Sequence, residues 1–202
     1  MTKWMKKRKK EEYYRKAKKQ GYRSRATYKL IQLNRKYNLL SGARSIIDIC
    51  CAPGGWIQAI QSILGNDVYI LGIDKSNLKP IEGNVDLLQG DITEEEIINS
   101  ISNYISDKVD VIVSDCSMKT IGASNLDVER QNYLVTSAFK NIVQPFLKTG
   151  GHFIAKVFQG RNTNNIKNDL KHCFRFIKFT KPKASLKNSR ELYLICKLYK
   201  IK

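Results

Sequence analysis

The sequence has little of what several large protein classes require. Only two histidines and five cysteines occur in 202 residues, and no cysteines are spaced as Cys-x-x-Cys, so we expect no metal site. No apolar run approaches the roughly 20 residues of a membrane span, and the N-terminus lacks the apolar stretch of a secretory signal. We therefore expect an intracellular, soluble protein whose cysteines are reduced and mostly buried. Its compartment (cytoplasm, nucleus or an organelle such as the mitochondrion) stays open.

Acidic residues are scarce only at the two ends of the chain. Residues 1–44 contain sixteen Lys and Arg against two Asp and Glu, and residues 151–202 contain thirteen against two. Residues 45–150 have seven against fourteen. A net charge of +18 divided in this way is typical of a protein that binds a polyanion through phosphate contacts. A membrane surface is the rival partner, but the basic run at 6–10 has no sustained apolar face beside it.

From residue 45 onward, short apolar runs alternate with amphipathic segments. The runs predict strands at Ser45–Cys50, Val68–Ile73, Val85–Leu88, Val109–Ser114, His152–Phe158, Phe174–Phe179 and Glu191–Leu198. Helical spacing predicts helices at Trp56–Leu64, Thr93–Ile105, Val128–Leu147 and Thr163–His172. This alternation predicts an α/β fold in one domain over 1–202, a mainly parallel sheet with helices on both faces. Only residues 181–188 separate the last two strands, which should therefore pair antiparallel.

Residues 1–44 are predicted to form a basic helical extension. Residues 3–10 are expected to be disordered because like charges in a row repel. Residues 11–19 suit a short helix, and residues 25–37 a second one with Ser24 as its N-cap. The charge of this extension makes it the part most expected to contact a polyanion such as RNA.

The first strand leads into a loop that has the composition of a cofactor site. It reads Ile46-Ile47-Asp48-Ile49-Cys50-Cys51-Ala52-Pro53-Gly54-Gly55-Trp56. Gly54 and Gly55 are expected to let a ligand approach the backbone, and the helix that follows offers free N–H groups. A nicotinamide-dependent oxidoreductase would need Gly-x-Gly-x-x-Gly for the pyrophosphate, and that pattern is absent. An acid at the end of the strand suits a cofactor with a cationic amino-acid tail.

Three further acids end the next three strands. Asp74 lies where doubly wound folds place an acid against ribose hydroxyls. Asp91 is expected to accept from the exocyclic amine of an adenine, with Ile92 against its face, and Asp115 ends the fourth strand. Because the carboxyl ends of parallel strands share one edge, these acids predict one site for S-adenosyl-L-methionine.

Two lysines and one acid outside the cofactor loop are the candidates for catalysis. Lys156 lies in an apolar strand, where an ammonium must pair with an acid or lose its charge. Glu191 is one of only two acids beyond residue 150, and Lys29 lies on the second predicted helix.

Taken together, these residues resemble the FtsJ-type RNA 2′-O-ribose methyltransferases from about Tyr13 to the C-terminus. The matching segments are Gly21-Tyr22-Arg23-Ser24-Arg25-Ala26, Ala52-Pro53-Gly54-Gly55-Trp56, Ser114-Asp115, Lys156-Val157-Phe158-Gln159-Gly160 and Ser189-Arg190-Glu191, with Lys29 and Asp91. The resemblance implies a Rossmann-like, seven-stranded fold, a catalytic tetrad of Lys29, Asp115, Lys156 and Glu191, and S-adenosyl-L-methionine contacts from Gly54, Trp56, Asp74, Asp91 and Asp115. Pro53, Gly55 and Ile92 complete the predicted cofactor site. It also implies a monomer that does not act on DNA.

Three functions remain open within this resemblance. The Lys-Val-Phe-Gln-Gly and Ser-Arg-Glu segments resemble the ribosomal RNA enzymes, which implies a uridine of the large-subunit RNA as the target. The stretch from Tyr13 to Asn34 resembles more the eukaryotic branch that methylates the tRNA anticodon loop. A non-catalytic RNA-binding protein of the same fold is the third.

The chain departs from the family pattern at two places. Cys50 and Cys51 replace glycine or alanine, which are also small, so cofactor binding should be retained. The run Cys116-Ser117-Met118-Lys119-Thr120 lacks the proline that commonly follows the family's fourth-strand acid. This predicts a more mobile loop there and leaves the positioning of the target nucleotide in doubt.

Overall fold

A computed structural model describes residues 12–118, 124–161, 163–186 and 188–200 of the chain. The strands are β1 Ser45–Ile49, β2 Tyr69–Asp74, β3 Val85–Gln89, β4 Val109–Ser114, β5 Leu147–Phe158, β6 Phe174–Thr180 and β7 Glu191–Tyr199. The helices are α1 (residues 12–19), α2 Thr27–Tyr37, α3 Gly55–Leu64, α4 Glu95–Ile101, α5 Ser124–Ala138, α6 Gln144–Phe146 and α7 Thr163–Leu170.

The seven strands form one sheet in the order β3-β2-β1-β4-β5-β7-β6. The β1–β2, β1–β4, β2–β3 and β4–β5 pairs are parallel, whereas β7 runs antiparallel to both β5 and β6. The predicted α/β architecture, with a mainly parallel sheet and an antiparallel final strand, is therefore confirmed. The strand order reverses at β1 and β4, and open α/β sheets bind ligands outside the carboxyl ends of the strands at such a switch point.

The sheet separates two apolar layers, which explains why its central strands are rich in apolar residues. Ile46 and Ile154 pack in the layer that contains α2 and α3, whereas their neighbours Ile47 and Phe153 pack in the layer on the opposite face. Successive side chains of a strand point to opposite faces, so both faces of each central strand need apolar residues.

The same alternation places Asp48 of β1 and Lys156 of β5 on one face of the sheet. Asp48 shares the parity of Ile46, and Lys156 shares the parity of Ile154, which places both toward the layer of α2 and α3. Tyr193 packs in that layer and lies directly opposite Lys156 in the β5–β7 pairing. The register of three strands therefore gathers these residues under the two helices.

Several predicted boundaries were wrong. Helix α2 begins at Thr27 with Ala26 as its N-cap, and the Ser24 hydroxyl instead accepts a hydrogen bond from the Ala26 N–H at 3.2 Å. The helix predicted over 128–147 begins at Ser124 and contains a π turn at Phe139–Val143, just before Pro145. A proline cannot donate the helical N–H and its ring clashes with the preceding turn, which favours the wider turn. The residues predicted to be disordered, 3–10, lie outside the described part.

The N-terminal helices pack against the sheet and against the C-terminal segment. Leu30 and Leu33 of α2 are buried in the layer that it shares with α3. Ala17 of α1 forms a small apolar cluster with Tyr28 and Ala184, and the Ala184 N–H donates to the Gln32 side chain at 2.9 Å. The two basic ends of the chain therefore meet beside α2. No helix of the described residues is long and apolar enough to cross a bilayer.

Candidate active site

The four residues predicted to form the tetrad lie together as two buried ion pairs. Lys29 Nζ lies 2.8 Å from Glu191 Oε2, which joins helix α2 to the start of β7. Lys156 Nζ lies 3.1 Å from Asp115 Oδ1 and also donates to the Asp115 carbonyl at 2.6 Å. Lys29 is 7% exposed and Lys156 is 6% exposed, so both ammonium groups depend on these partners. The sequence predicted that Lys156 either pairs with an acid or loses its charge, and the structure shows the pairing.

Tyr193, which the sequence reasoning missed, joins the two pairs. Its hydroxyl donates to Asp115 Oδ1 at 2.6 Å, and Lys29 Nζ lies 5.6 Å from its ring centroid. Complete burial and the nearby Asp115 carboxylate raise the pKa of Tyr193 well above its ordinary value. The phenol therefore remains a donor and holds the Asp115 carboxylate in place. Its position two residues after Glu191, on the same face of the strand, was the available signal.

Gln131 holds the loop after β4, and this too was missed. Its side-chain amide donates to the carbonyls of Cys116 and Lys156 at 3.0 and 2.9 Å, and its oxygen accepts from the Met118 N–H at 3.1 Å. Residues 116–118 are thus tied to β5 without the family's proline. The remainder of the loop that we expected to be mobile, residues 119 and 120, lies outside the described residues.

A cavity of about 240 Å³ opens beside these ion pairs at the carboxyl ends of β1 and β4. Its wall includes five predicted site residues, namely Lys29, Pro53, Gly55, Trp56 and Asp115. The wall also contains Ser24, Arg25, Ala26, Asp48, Cys50, Cys51 and Ala52. Gly54, Asp74, Asp91, Ile92, Lys156 and Glu191 are not part of it. The cavity is therefore the space between the cofactor loop and the N-terminal end of α2.

The two glycines of the loop leave room for neighbouring parts of the chain, and Gly55 also lies in the wall of the cavity. A Cβ atom on Gly55 would lie 2.2 Å from Ser24 Oγ, and one on Gly54 would lie 2.5 Å from Ile81 Cδ1. Gly54 also has φ +104°, a backbone conformation that residues other than glycine rarely adopt. Arg23 packs against Gly54 and donates to the carbonyls of Pro53 and Lys79 at 3.4 and 2.7 Å. The N-terminal extension is therefore bound directly to the cofactor loop.

Asp48 supplies the test of whether the site fits S-adenosyl-L-methionine. The residue is 1% exposed, lies in the cavity wall, and has no hydrogen bond to either carboxylate oxygen among the described residues. Burial raises its pKa well above the ordinary value, and the neighbouring Asp115 and Asp74 carboxylates add to the shift. A buried carboxylate without a partner favours a cationic ligand. The ammonium and sulfonium groups of that cofactor meet this requirement.

Asp74 and Asp91, predicted to hold the adenosine, shape the loops around the cavity. Asp74 accepts from the N–H groups of Ala52 and Ser76 at 2.9 and 2.7 Å. Asp91 pairs with Lys75 and accepts from the Thr93 N–H; although burial opposes the shift, these contacts lower the pKa of Asp91.

Two apolar members of the predicted cofactor site are committed to the core. Ile92 is 4% exposed and packs in the layer away from α2 and α3. The Trp56 ring packs 5.8 Å from Tyr193, and its Nε1–H donates to the Ala26 carbonyl at 3.0 Å. Trp56 thereby links α3 to the start of α2.

The prediction that all five cysteines are reduced thiols is wrong for two of them. Cys50 and Cys116 form a disulfide, with Cα atoms 5.0 Å apart, that joins the ends of β1 and β4. Cys51 and Cys196 are free and buried, and burial raises the pKa of both thiols. The two bonded cysteines are 66 positions apart, so sequence spacing gave no sign of the pair. Among the described residues, no group of three or more His, Cys, Asp or Glu side chains is placed to hold a metal.

Known proteins show the same sequence pattern and the same fold. The family model of FtsJ-like methyltransferases matches residues 22–199. Ribosomal RNA large subunit methyltransferase E of Methanocaldococcus jannaschii is 42% identical over 200 residues, which cover 97% of this chain and 81% of that protein. The protein of the same name from Archaeoglobus fulgidus is 43% identical over 188 residues, covering 93% and 95%.

A solved structure agrees with this assignment. A Plasmodium falciparum protein described as a ribosomal RNA methyltransferase superposes with a TM-score of 0.78 at 35% identity, covering 88% of this chain and 98% of that one. The chain therefore belongs to the FtsJ-like methyltransferase family.

Proposed function

We propose that this enzyme transfers the methyl group of S-adenosyl-L-methionine to a ribose 2′-hydroxyl of large-subunit ribosomal RNA. The observation that carries the proposal is the pair of buried ion pairs, Lys29–Glu191 and Lys156–Asp115, beside a cavity whose wall contains the buried Asp48 carboxylate. Burying a charge costs free energy. Two buried lysines at the carboxyl edge of a parallel sheet therefore favour a catalytic role.

The proposed cofactor site consists of the cavity wall and the adjoining strand ends. Asp48 and Asp115 lie beside the cavity and suit the cationic part of the cofactor, while Gly55 and Trp56 begin helix α3 beside it. Asp74, Asp91 and Ile92 lie at and beyond the ends of β2 and β3, where the adenosine would extend. When bound, the cofactor supplies a methyl group on a sulfonium, which is already a good leaving group.

The chain must then align the ribose oxygen and stabilise the charge that develops on it. Lys156 Nζ is fixed by a hydrogen bond to the Asp115 carbonyl and an ion pair with the Asp115 carboxylate, which also accepts from the Tyr193 hydroxyl. A positioned ammonium beside the 2′-oxygen would stabilise the developing alkoxide as that oxygen bonds to the methyl carbon, while the hydroxyl proton passes to solvent water and the sulfonium departs as a neutral thioether. Glu191, which accepts from Lys29 and from the Ser185 hydroxyl at 2.6 Å, holds the second ammonium at the same site.

The basic ends of the chain supply the RNA surface of the proposal. The exposed residues Lys16, Lys18 and Lys19 of α1 and Lys183 of the segment before β7 lie where the two ends meet. That region adjoins Lys29 and Glu191, so RNA bound there would reach the ion pairs. Phosphate contacts from such a surface dominate affinity for nucleic acid.

The names of the relatives support ribosomal RNA as the substrate. The M. jannaschii and A. fulgidus proteins are both named as ribosomal RNA large subunit methyltransferases, and each matches more than nine-tenths of this chain. Sequence similarity to the tRNA branch was confined to the N-terminal stretch, whereas these matches cover the tetrad as well.

Lys156→Ala tests the proposal, with the exposed Lys178→Ala on β6 as the matched control. Transfer of labelled methyl groups to ribosomal RNA and to tRNA would be measured separately, together with binding of S-adenosylhomocysteine by calorimetry. We expect the Lys156 variant to lose about 100-fold or more in transfer to ribosomal RNA, because general acid–base and charge-stabilising groups contribute rates of that order. Its cofactor binding should persist, and the control should behave as wild type.

Near-normal transfer by Lys156→Ala, with binding intact, would contradict the catalytic assignment. Preferential methylation of tRNA would contradict the substrate assignment but not the chemistry. Failure of the wild-type protein to bind S-adenosylhomocysteine would overturn the proposed function as a whole.

A further inference from the structure

Two opposite charges line the same cavity without contacting each other. Arg25 Nη1 is shielded from solvent and has no hydrogen-bond partner among the described residues, as is also true of both Asp48 oxygens. Both residues belong to the wall of the cavity beside the cofactor loop. A guanidinium nitrogen and a carboxylate without partners are each costly when buried, and an ion pair between them would remove both costs. The fold holds them apart instead.

The other acid in the cavity wall is already engaged. Asp115 Oδ1 accepts from Tyr193 and lies within 3.1 Å of Lys156 Nζ. The remaining wall is formed by Ser24, Ala26, Lys29 and the loop from Cys50 to Trp56, none of which contributes an acid. The missing partner of Arg25 must therefore come from the ligand, and it must carry an acceptor, most effectively an anion.

We propose that Arg25 binds the α-carboxylate of the cofactor's amino-acid tail and so selects a cofactor that carries it. This inference rests on the proposed function. An α-amino acid carries an ammonium and a carboxylate on neighbouring atoms, which matches a cavity with Asp48 on one wall and Arg25 on another. Arg25 lies within the N-terminal extension, one residue before the N-cap of α2, so the same segment that would approach the RNA would also hold the cofactor.

A phosphate of bound RNA is the alternative partner for Arg25. The arginine as a whole is half-buried, but Nη1 is directed away from solvent. Backbone phosphates approach a protein from the solvent side and remain hydrated, whereas the cofactor fills the cavity itself. The burial of the unpaired nitrogen therefore favours the cofactor carboxylate.

Binding of two ligands to three variants tests this inference. The ligands are S-adenosylhomocysteine and its decarboxylated analogue, and the variants are Arg25→Met, Arg25→Lys and the matched control Arg175→Met on the exposed side of β6. We expect the wild-type protein to prefer the carboxylate-bearing ligand. Arg25→Met should weaken the binding of S-adenosylhomocysteine about 10- to 100-fold, the range typical of a charge-assisted hydrogen bond, and leave the affinity for the decarboxylated analogue unchanged. Arg25→Lys should restore part of the preference, and Arg175→Met should change neither affinity.

The ratio of the affinities for S-adenosylhomocysteine and its decarboxylated analogue distinguishes carboxylate binding by Arg25 from a merely structural role. A general disturbance of the cavity would weaken the binding of both ligands equally, and that result would overturn the proposal. Weaker binding of a ribosomal RNA fragment by Arg25→Met, with the ratio unchanged, would assign Arg25 to a phosphate and would also overturn it. The thermal midpoint of the unliganded Arg25→Met protein should not fall, because the variant removes an unpaired buried donor. Failure of the wild-type protein to bind either ligand would instead refute the proposed function.

Discussion

The Cys50–Cys116 disulfide allows a sharp test of the structure, because glycine at position 50 should have opposite effects in the oxidised and reduced protein. The bond closes a loop across a separation of 66 residues. In the chain-entropy treatment, a loop of this length stabilises the folded state by about 4 kcal/mol. Breaking the bond by reduction, or removing either cysteine, should lower the free energy of unfolding by up to this amount.

Cys50 also has an unfavourable backbone conformation. Its φ is +58°, in the left-handed region where a non-glycine residue costs roughly 1 kcal/mol. Cys50→Gly removes the disulfide and this cost together. Relative to wild type, the variant should be less stable by about 3 kcal/mol when both proteins are oxidised, and more stable by about 1 kcal/mol when both are reduced. Loss of the small side chain offsets little of this, because Cys50 is only half-buried.

Urea unfolding in the presence and absence of a phosphine reductant measures both differences, and thiol titration establishes the oxidation state of each sample. The oxidised wild-type protein should show three reactive thiols after unfolding and the reduced protein five. Cys173→Ala is the matched control, since Cys173 is free, and its stability should respond to the reductant as wild type does. Five thiols in protein kept under oxidising conditions, or a reduced Cys50→Gly protein that is less stable than reduced wild type, would refute the reasoning.

Three other substitutions test separate parts of the site. In Asp48→Asn the loss of a buried carboxylate should raise the thermal midpoint of the unliganded protein at neutral pH while weakening S-adenosylhomocysteine binding. Because the pKa of Asp48 is raised on folding, wild-type stability should fall as pH rises above the ordinary Asp range, and scanning fluorimetry across pH should show a smaller fall in the variant. Tyr193→Phe should reduce methyl transfer roughly 10-fold in steady-state assays, with cofactor binding intact, because Asp115 loses one hydrogen bond; unchanged transfer would argue against its positioning role. Gly55→Ala should destabilise the protein by about 1–3 kcal/mol in urea unfolding, since its Cβ would lie 2.2 Å from Ser24 Oγ, and adding Ser24→Gly should recover part of the loss.

The parts of the fold that could be predicted were those encoded by local pattern. The uninterrupted apolar runs around Ile47, Ile112 and Ile154 predicted central strands because both faces of those strands are buried. The short link at 181–188 predicted an antiparallel final strand for a reason of chain geometry. Boundaries were less predictable where a local signal competed with packing, as at Ser24, whose hydroxyl bonds two residues before the observed helix begins.

The site was only partly accessible to sequence reasoning. The strand-end acids and Lys156 are conspicuous because charged residues are rare at the ends of, or within, apolar strands. Gln131 and the disulfide gave no such signal, because each joins residues distant in the chain: Gln131 spans 25 positions to Lys156, and Cys50 spans 66 to Cys116. Gly54 and Gly55 were recognised as special, but only the structure shows a further reason, since Arg23 and Ser24 pack where a side chain at these positions would lie.

The acidic middle of the chain and its basic ends now have separate physical roles. Asp48, Asp74 and Asp115 converge at one edge of the sheet, where the carboxylates of Asp115 and Asp74 add to the effect of burial and raise the pKa of Asp48. Such a cluster of acids favours a cation, so the positively charged cofactor of the proposed function would bind where these three carboxylates converge. Lys29 and Arg25 reach the same cavity from the basic extension. Methyl donor and RNA therefore require opposite charges, and the fold brings them together by laying a basic segment over an acidic strand edge.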